Sequence, residues 1–105
     1  MTTKHDLFSL LTHRIGAQYG TSVKTLADLL RTTPRQVRKL VSELRMDGIA
    51  VCGTPETGYY IAADAEELQQ TIDFLKHRAL HSLTLASRMS KIPMPDLIGQ
   101  LHVPT

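Results

Sequence analysis

The sequence holds a single cysteine, no tryptophan and no uninterrupted apolar stretch long enough to cross a bilayer. Each scarcity removes a class of protein. One thiol, Cys52, excludes an internal disulfide, so the expected setting is the reducing cytoplasm, with Cys52 packed as a small apolar residue. A membrane-spanning helix needs about 20 consecutive apolar residues and none is present, while residues 1–6 are polar and lead into no signal-peptide core. The chain is therefore expected to be soluble, with no membrane partner. At 105 residues and 42% hydrophobic content it describes one domain with a modest core. Glycine-rich phosphate loops are missing, and no nucleophile, base and orienting group can be assembled without inventing proximity. Neither an enzyme nor a cofactor is expected.

Metal ligands are equally sparse. His77 and His81 stand four apart on one helical face, but Arg78 occupies the place where a zinc-protease motif has glutamate, and no third ligand lies at a convincing spacing. No metal site is expected.

What is present is a polarised charge. The formal net charge is only +2, yet residues 14–45 contain seven Lys or Arg against Asp28 and Glu43. Residues 56–73 then carry five carboxylates and no Lys or Arg. A basic front followed by an acidic middle suits a protein that turns one face to a polyanion.

Periodicity divides the chain into elements. Asp6 is placed to cap a first helix in which Leu7, Leu10, Leu11 and Ile15 recur at helical spacing, running to about Gly20 with Phe8 and Tyr19 as further core candidates. Ser22 caps a shorter helix with Leu26, Leu29 and Leu30 on one side. Thr33 then occupies an N-cap, Pro34 the first helical position where its missing N–H costs nothing, and Val37, Leu40, Val41 and Leu44 follow three and four apart. Asp47 and Gly48 supply a stop. Residues 49–52 and 59–61 are rich in β-branched and aromatic types and flank a Gly/Pro/Thr segment, which predicts a hairpin. Asp64 with Glu67 three residues on forms a capping box opening a helix that persists to about Lys91, where Pro93 and Pro95 end it. Asp96 can cap a last turn bearing Leu97, Ile98 and Leu101.

The order is helix, helix, helix, hairpin, long helix. The segment SVKTLADLLRTTPRQVRKLVSELRMDGI, residues 22–49, resembles the N-terminal winged helix-turn-helix of the biotin-repressor type, and GYYI at residues 58–61 resembles the return strand of its wing. The likeness covers about residues 6–62, and these 105 residues contain no counterpart of that family's biotin-binding catalytic domain. In size and layout the chain also resembles small stand-alone proteins of phages and mobile elements. Element order and resemblance together give a mainly α fold with a small β-hairpin: a winged helix-turn-helix, as the resemblance implies, followed by the long C-terminal helix read from the capping box at Asp64. The expected division is residues 1–62 as winged helix, 63–92 as a dimerisation helix and 93–105 as a proline-containing tail.

A recognition helix reaches base edges mainly from its N-terminal half. On residues 33–46 that half offers Arg35, Gln36 and Lys39 as base readers. Arg suits guanine and Gln adenine through paired hydrogen bonds, and Lys serves guanine or phosphate. Thr33, Arg38, Ser42 and Arg45 fall where a docked helix passes the backbone, and Ser22 with Lys24 presents a second phosphate contact. The wing tip carries Glu56 and no cation, unlike wings that insert a basic residue into the minor groove.

On the long helix, Leu68, Ile72, Leu75, Ala79, Ser82, Ala86 and Met89 repeat at four and three. The distal part, with Ala79, Leu80, Leu83, Ala86 and Met89, outruns a 60-residue winged domain and is expected to pair with a second copy. The expected function is a sequence-specific double-stranded DNA-binding protein, a dimeric transcriptional regulator. Two alternatives stand beside it: a replication, recombination or packaging accessory of a phage or plasmid, and a winged-helix protein-interaction module whose C-terminal tail docks a protein partner.

Overall fold

Thr3, rather than Asp6, opens the first helix. In the computed structural model, which describes residues 1–100, the Thr3 side chain accepts the Asp6 N–H and the Asp6 carboxylate accepts the Thr3 N–H at 2.8 Å, a reciprocal capping box. The side chain of Gln100 and residues 101–105, Leu101 among them, lie outside the described residues. Helix α1 spans Lys4–Leu11 and buries Leu7 and Leu11.

The helix stops well short of Gly20. Residue Gly16 adopts φ 104°, a value a helix cannot carry and a side chain rarely tolerates, and one turn of 3-10 helix follows at Ala17–Tyr19. Ile15 and Tyr19, expected in the core, are more than half exposed, and Phe8 is also at the surface. The reason lies elsewhere in the chain, in the partner this segment finds. Gly16 N–H donates to the Ile61 carbonyl and Ile61 N–H to that of Arg14, both at 2.8 Å. Thr21 and Tyr59 exchange two further backbone bonds at 2.8 and 2.9 Å.

Helix α2, Val23–Leu30, starts where expected, with Ser22 Oγ accepting the Thr25 N–H at 3.2 Å. It buries Leu26 and Ala27, whereas Leu29 is 53% exposed. Arg31 ends it in the left-handed conformation, φ 55° and ψ 47°. Helix α3, Pro34–Met46, follows directly, capped by Thr33 Oγ1 on the Gln36 N–H at 3.1 Å. Its Val37, Leu40, Val41 and Leu44 are all buried and form the core with Leu7, Leu11, Leu26, Ala27 and Val51.

Strands β1, Val51–Thr54, and β2, Gly58–Ile61, pair antiparallel with Val51 opposite Ile61 and Thr54 opposite Gly58. Gly58 has φ 73°, and a Cβ there would lie 2.5 Å from the Thr21 carbonyl carbon. That approach lets residues 14–21 run along the outer edge of β2, so β2 is hydrogen-bonded on both sides.

The long helix α4 spans Ala65–Ser90, with Asp64 Oδ1 accepting the Glu67 N–H at 2.8 Å as the capping motif predicts. The reciprocal half is redirected. Glu67 sends Oε1 to the Ala63 N–H and Oε2 to the Ala17 N–H, each at 2.9 Å, tying the 3-10 turn to the start of α4. One turn on, the buried Thr71 accepts the Gly53 N–H at 3.3 Å. Lys91 is left-handed, and α5 follows at Met94–Gln100. Asp96 stands in the first turn of α5, its N–H donating to the Pro93 carbonyl at 3.0 Å, instead of capping it.

Two compact units result, Met1–Thr71 and Ile72–Thr105. The first contains every buried apolar residue among the described ones; in the second none of residues 72–99 is buried. No helix among the described residues is long and apolar enough to cross a membrane.

Tyr60 provides a pH-dependent probe of the first unit. It is 3% exposed, and burial, followed by the charges of Cys52 and Glu67, pushes its phenol above the ordinary 10.0, against a lowering hydrogen bond with Thr71. A raised folded value means that the phenol's contribution is complete below pH 10.0 and is lost as pH climbs through the folded value. Denaturant unfolding followed from pH 8 to 11.5 is expected to show stability falling above pH 10, and Tyr60→Phe is expected to make that fall shallower.

Candidate nucleic-acid interface

Burial of one face of α3 fixes what the other presents. With Val37, Leu40, Val41 and Leu44 inward, 3.6-residue periodicity turns Arg35, Arg38, Lys39 and Ser42 outward, and all four are exposed. No carboxylate pairs with Arg35, Arg38 or Lys39 among the described residues. Glu43 is the one acid within α3, half-buried on the flank where Lys4 meets Asp47 at 2.7 Å. That bond and the Asp47 charge, with a smaller contribution from Glu43, raise the Lys4 ammonium above its ordinary value. Glu43 and the Lys4–Asp47 pair thus lie off the outer ridge, at the end of α3 that meets the start of α1.

Two residues assigned to the interface from sequence have different surroundings. Gln36 is half-buried and lines an open cleft beside α1, which sets it off the outer ridge. Arg45, also half-buried, donates Nε to the Val51 carbonyl at 2.8 Å and lies over the Tyr59 ring, 5.9 Å from its centre. Its guanidinium fastens the hairpin to α3. At the start of α2, Ser22 uses its hydroxyl locally, accepting from Thr25 N–H and donating to Thr25 Oγ1 at 2.9 Å, while Lys24 is exposed. Thr33 spends its oxygen on the α3 cap and keeps a hydroxyl proton to donate.

Met46, 88% exposed at the end of the same ridge, was missed in the sequence, where it reads as one more helix former. The hairpin turn closes on itself, with Thr54 N–H donating to Thr57 Oγ1 at 3.0 Å and Thr57 N–H returning to Thr54 Oγ1 at 3.3 Å. It presents Glu56 and no cation.

In the second unit Ala79, Leu80, Ala86 and Met89 are exposed and Leu83 is half-buried. His77 and His81 are exposed, and no group of three metal-ligating side chains occurs among the described residues. Compared with protein-family models, with curated proteins and with solved structures, the chain finds no match.

Proposed function

We propose that residues 1–62 form a winged helix-turn-helix that binds double-stranded DNA, with α3 in the major groove, and that the protein acts as a dimeric transcriptional regulator. The observation that carries this reading is the outer face of α3, where Arg35, Arg38 and Lys39 stand exposed without a carboxylate partner. Cations held together on a rigid helix without compensation form a surface suited to a polyanion. The short α2, the left-handed turn at Arg31 and a capped α3 support a helix-turn-helix, and the hairpin that Arg45 fastens to α3 occupies the place of a wing.

Roles follow from direction along the ridge. Arg35, in the first turn of α3, reads a base edge, and Lys39, one turn on, reads the next position or a phosphate. Arg38, Ser42 and Thr33 hold the backbone. The distal face of α4 supplies the second copy. Leu80, Leu85 and Met89 are 52%, 48% and 85% exposed, an apolar surface that isolated helices do not keep in water without a partner. Two copies joined there present two α3 helices to a palindromic site.

Binding to a 25-bp duplex, titrated against salt, tests the first part. Affinity is expected to fall steeply with salt, with Arg38→Ala plus Lys39→Ala making the log–log slope shallower by about 1 to 2. Arg45→Ala is expected to leave the slope unchanged and to lower stability by roughly 1 kcal/mol through the lost carbonyl bond. Absence of binding at low salt would overturn the DNA reading and leave the protein-interaction module in its place. For the second part, sedimentation equilibrium is expected to give a dimer that Leu80→Glu with Met89→Glu converts to a folded monomer; a wild-type monomer at micromolar concentration contradicts the pairing.

A further inference from the structure

Beside α3, on the flank away from the hairpin, lies an open cleft of about 1240 Å³ between α1, the end of α2 and the first turns of α3. We infer that this cleft holds a sugar-phosphate strand of the bound DNA, so that backbone contacts lacking at the wing are made by Arg31, His13 and Lys39. The inference rests on the reading of α3 as a major-groove helix and adds a surface that this reading does not require.

Three observations converge on it. The first is polar chemistry: Arg31 and Lys39 line the cleft with the hydrogen-bonding His13, and the oxygen Oδ2 of its one carboxylate, Asp6, is held by the Thr3 N–H at 2.8 Å and the Thr3 hydroxyl at 3.2 Å. The second is the mixture of side chains. Leu10, Leu29 and Leu30 line the cleft together with Arg31 and Lys39, Leu29 being 53% exposed, and apolar and cationic groups side by side match a strand that alternates deoxyribose with phosphate. The third is the residue at the α2–α3 turn. Arg31 holds φ 55°, a conformation that glycine or asparagine adopts without strain. The backbone therefore gives no reason for an arginine here, and its exposed guanidinium does.

The other flank of α3 explains why the strand is expected on this side. A helix in the major groove has a phosphate strand on each side. Toward the hairpin, Arg45 is committed to the Val51 carbonyl and the turn offers only Glu56. Toward α1, Arg31 lines the cleft with Lys39, which belongs to both the ridge and the cleft, and of the acids on that flank Asp47 is paired with Lys4. An open trough suits a continuous strand rather than an enclosed small ligand, although a free phosphate shares the same chemistry.

Arg31→Ala with His13→Ala in the full chain tests the proposal, with Arg31→Gly as a companion that removes the side chain while relaxing the backbone. Circular dichroism confirms that each variant folds. The double variant and Arg31→Gly are each expected to bind the 25-bp duplex with a salt slope shallower by about 1 than wild type, the double variant also losing affinity at every salt concentration through the His13 hydrogen bond. Hydroxyl-radical protection is expected to shrink on one strand within each half-site. Unchanged slopes and protection, with Arg38→Ala plus Lys39→Ala still weakening binding, would overturn the cleft and leave the α3 reading standing. Binding of inorganic phosphate that the Arg31→Ala with His13→Ala variant loses, while its duplex affinity and salt slope stay those of wild type, would overturn the DNA strand as occupant in favour of a free phosphate. If the wild-type chain binds no duplex, both readings fall together.

Discussion

Four side chains on α3, Val37, Leu40, Val41 and Leu44, are buried against α1 and α2, and because a helix has a fixed pitch their burial sets the direction of every other residue on it. Loss of one such side chain costs about 1 to 5 kcal/mol, depending on the atoms deleted and the cavity left. The cost of rotating the whole helix would be several times that. The exposed ridge of Arg35, Arg38, Lys39 and Ser42 is thus held by the core beneath it, with no cross-links among the cations themselves. A basic surface assembled this way is pre-organised, which keeps the ordering cost of binding low.

The hairpin depends on a second constraint, which is carried by backbone bonds. Strand β2 pairs with β1 on one edge and with residues 14–21 on the other, and Glu67 ties that outer segment to the first turn of α4. Arg45 then joins α3 to β1 through the Val51 carbonyl. These links join α1 to α3, the hairpin and the start of α4 in one compact unit, Met1–Thr71. Beyond it, the second half of α4 has no buried residue among those described, so its helical state draws on propensity and on whatever covers Leu80, Leu85 and Met89.

Elements whose signals are local were legible in the sequence. Ser22, Thr33 with Pro34, and Asp64 each announce a helix start through side chains next to the backbone they satisfy, and the structure shows all three. The β1–β2 hairpin was equally plain from residue type. Errors arise where a distant partner decides. The apolar spacing Leu7, Leu10, Leu11, Ile15 suggests a helix to Gly20, but Ile61 and Tyr59 claim the backbone of residues 14–21 for pairing. Glu67 carried the correct capping-box spacing, yet Ala17, 50 residues away, took half of its carboxylate. Gln36 and Arg45 are placed at the interface by side-chain type and position along the helix, and the structure adds surroundings that such a reading does not contain. Their half-burial follows from α1 on one flank and the hairpin on the other, neither visible within residues 33–46.

The central claim is that the ridge of α3 is the surface DNA meets. Titrating a 25-bp duplex into the isotopically labelled protein and following backbone amide resonances tests it most directly. Amides of Arg35, Arg38, Lys39 and Ser42 are expected to shift first and furthest, with those of the hairpin turn at Glu56 and Thr57 little changed. Shifts concentrated on α4 with α3 undisturbed would contradict the claim.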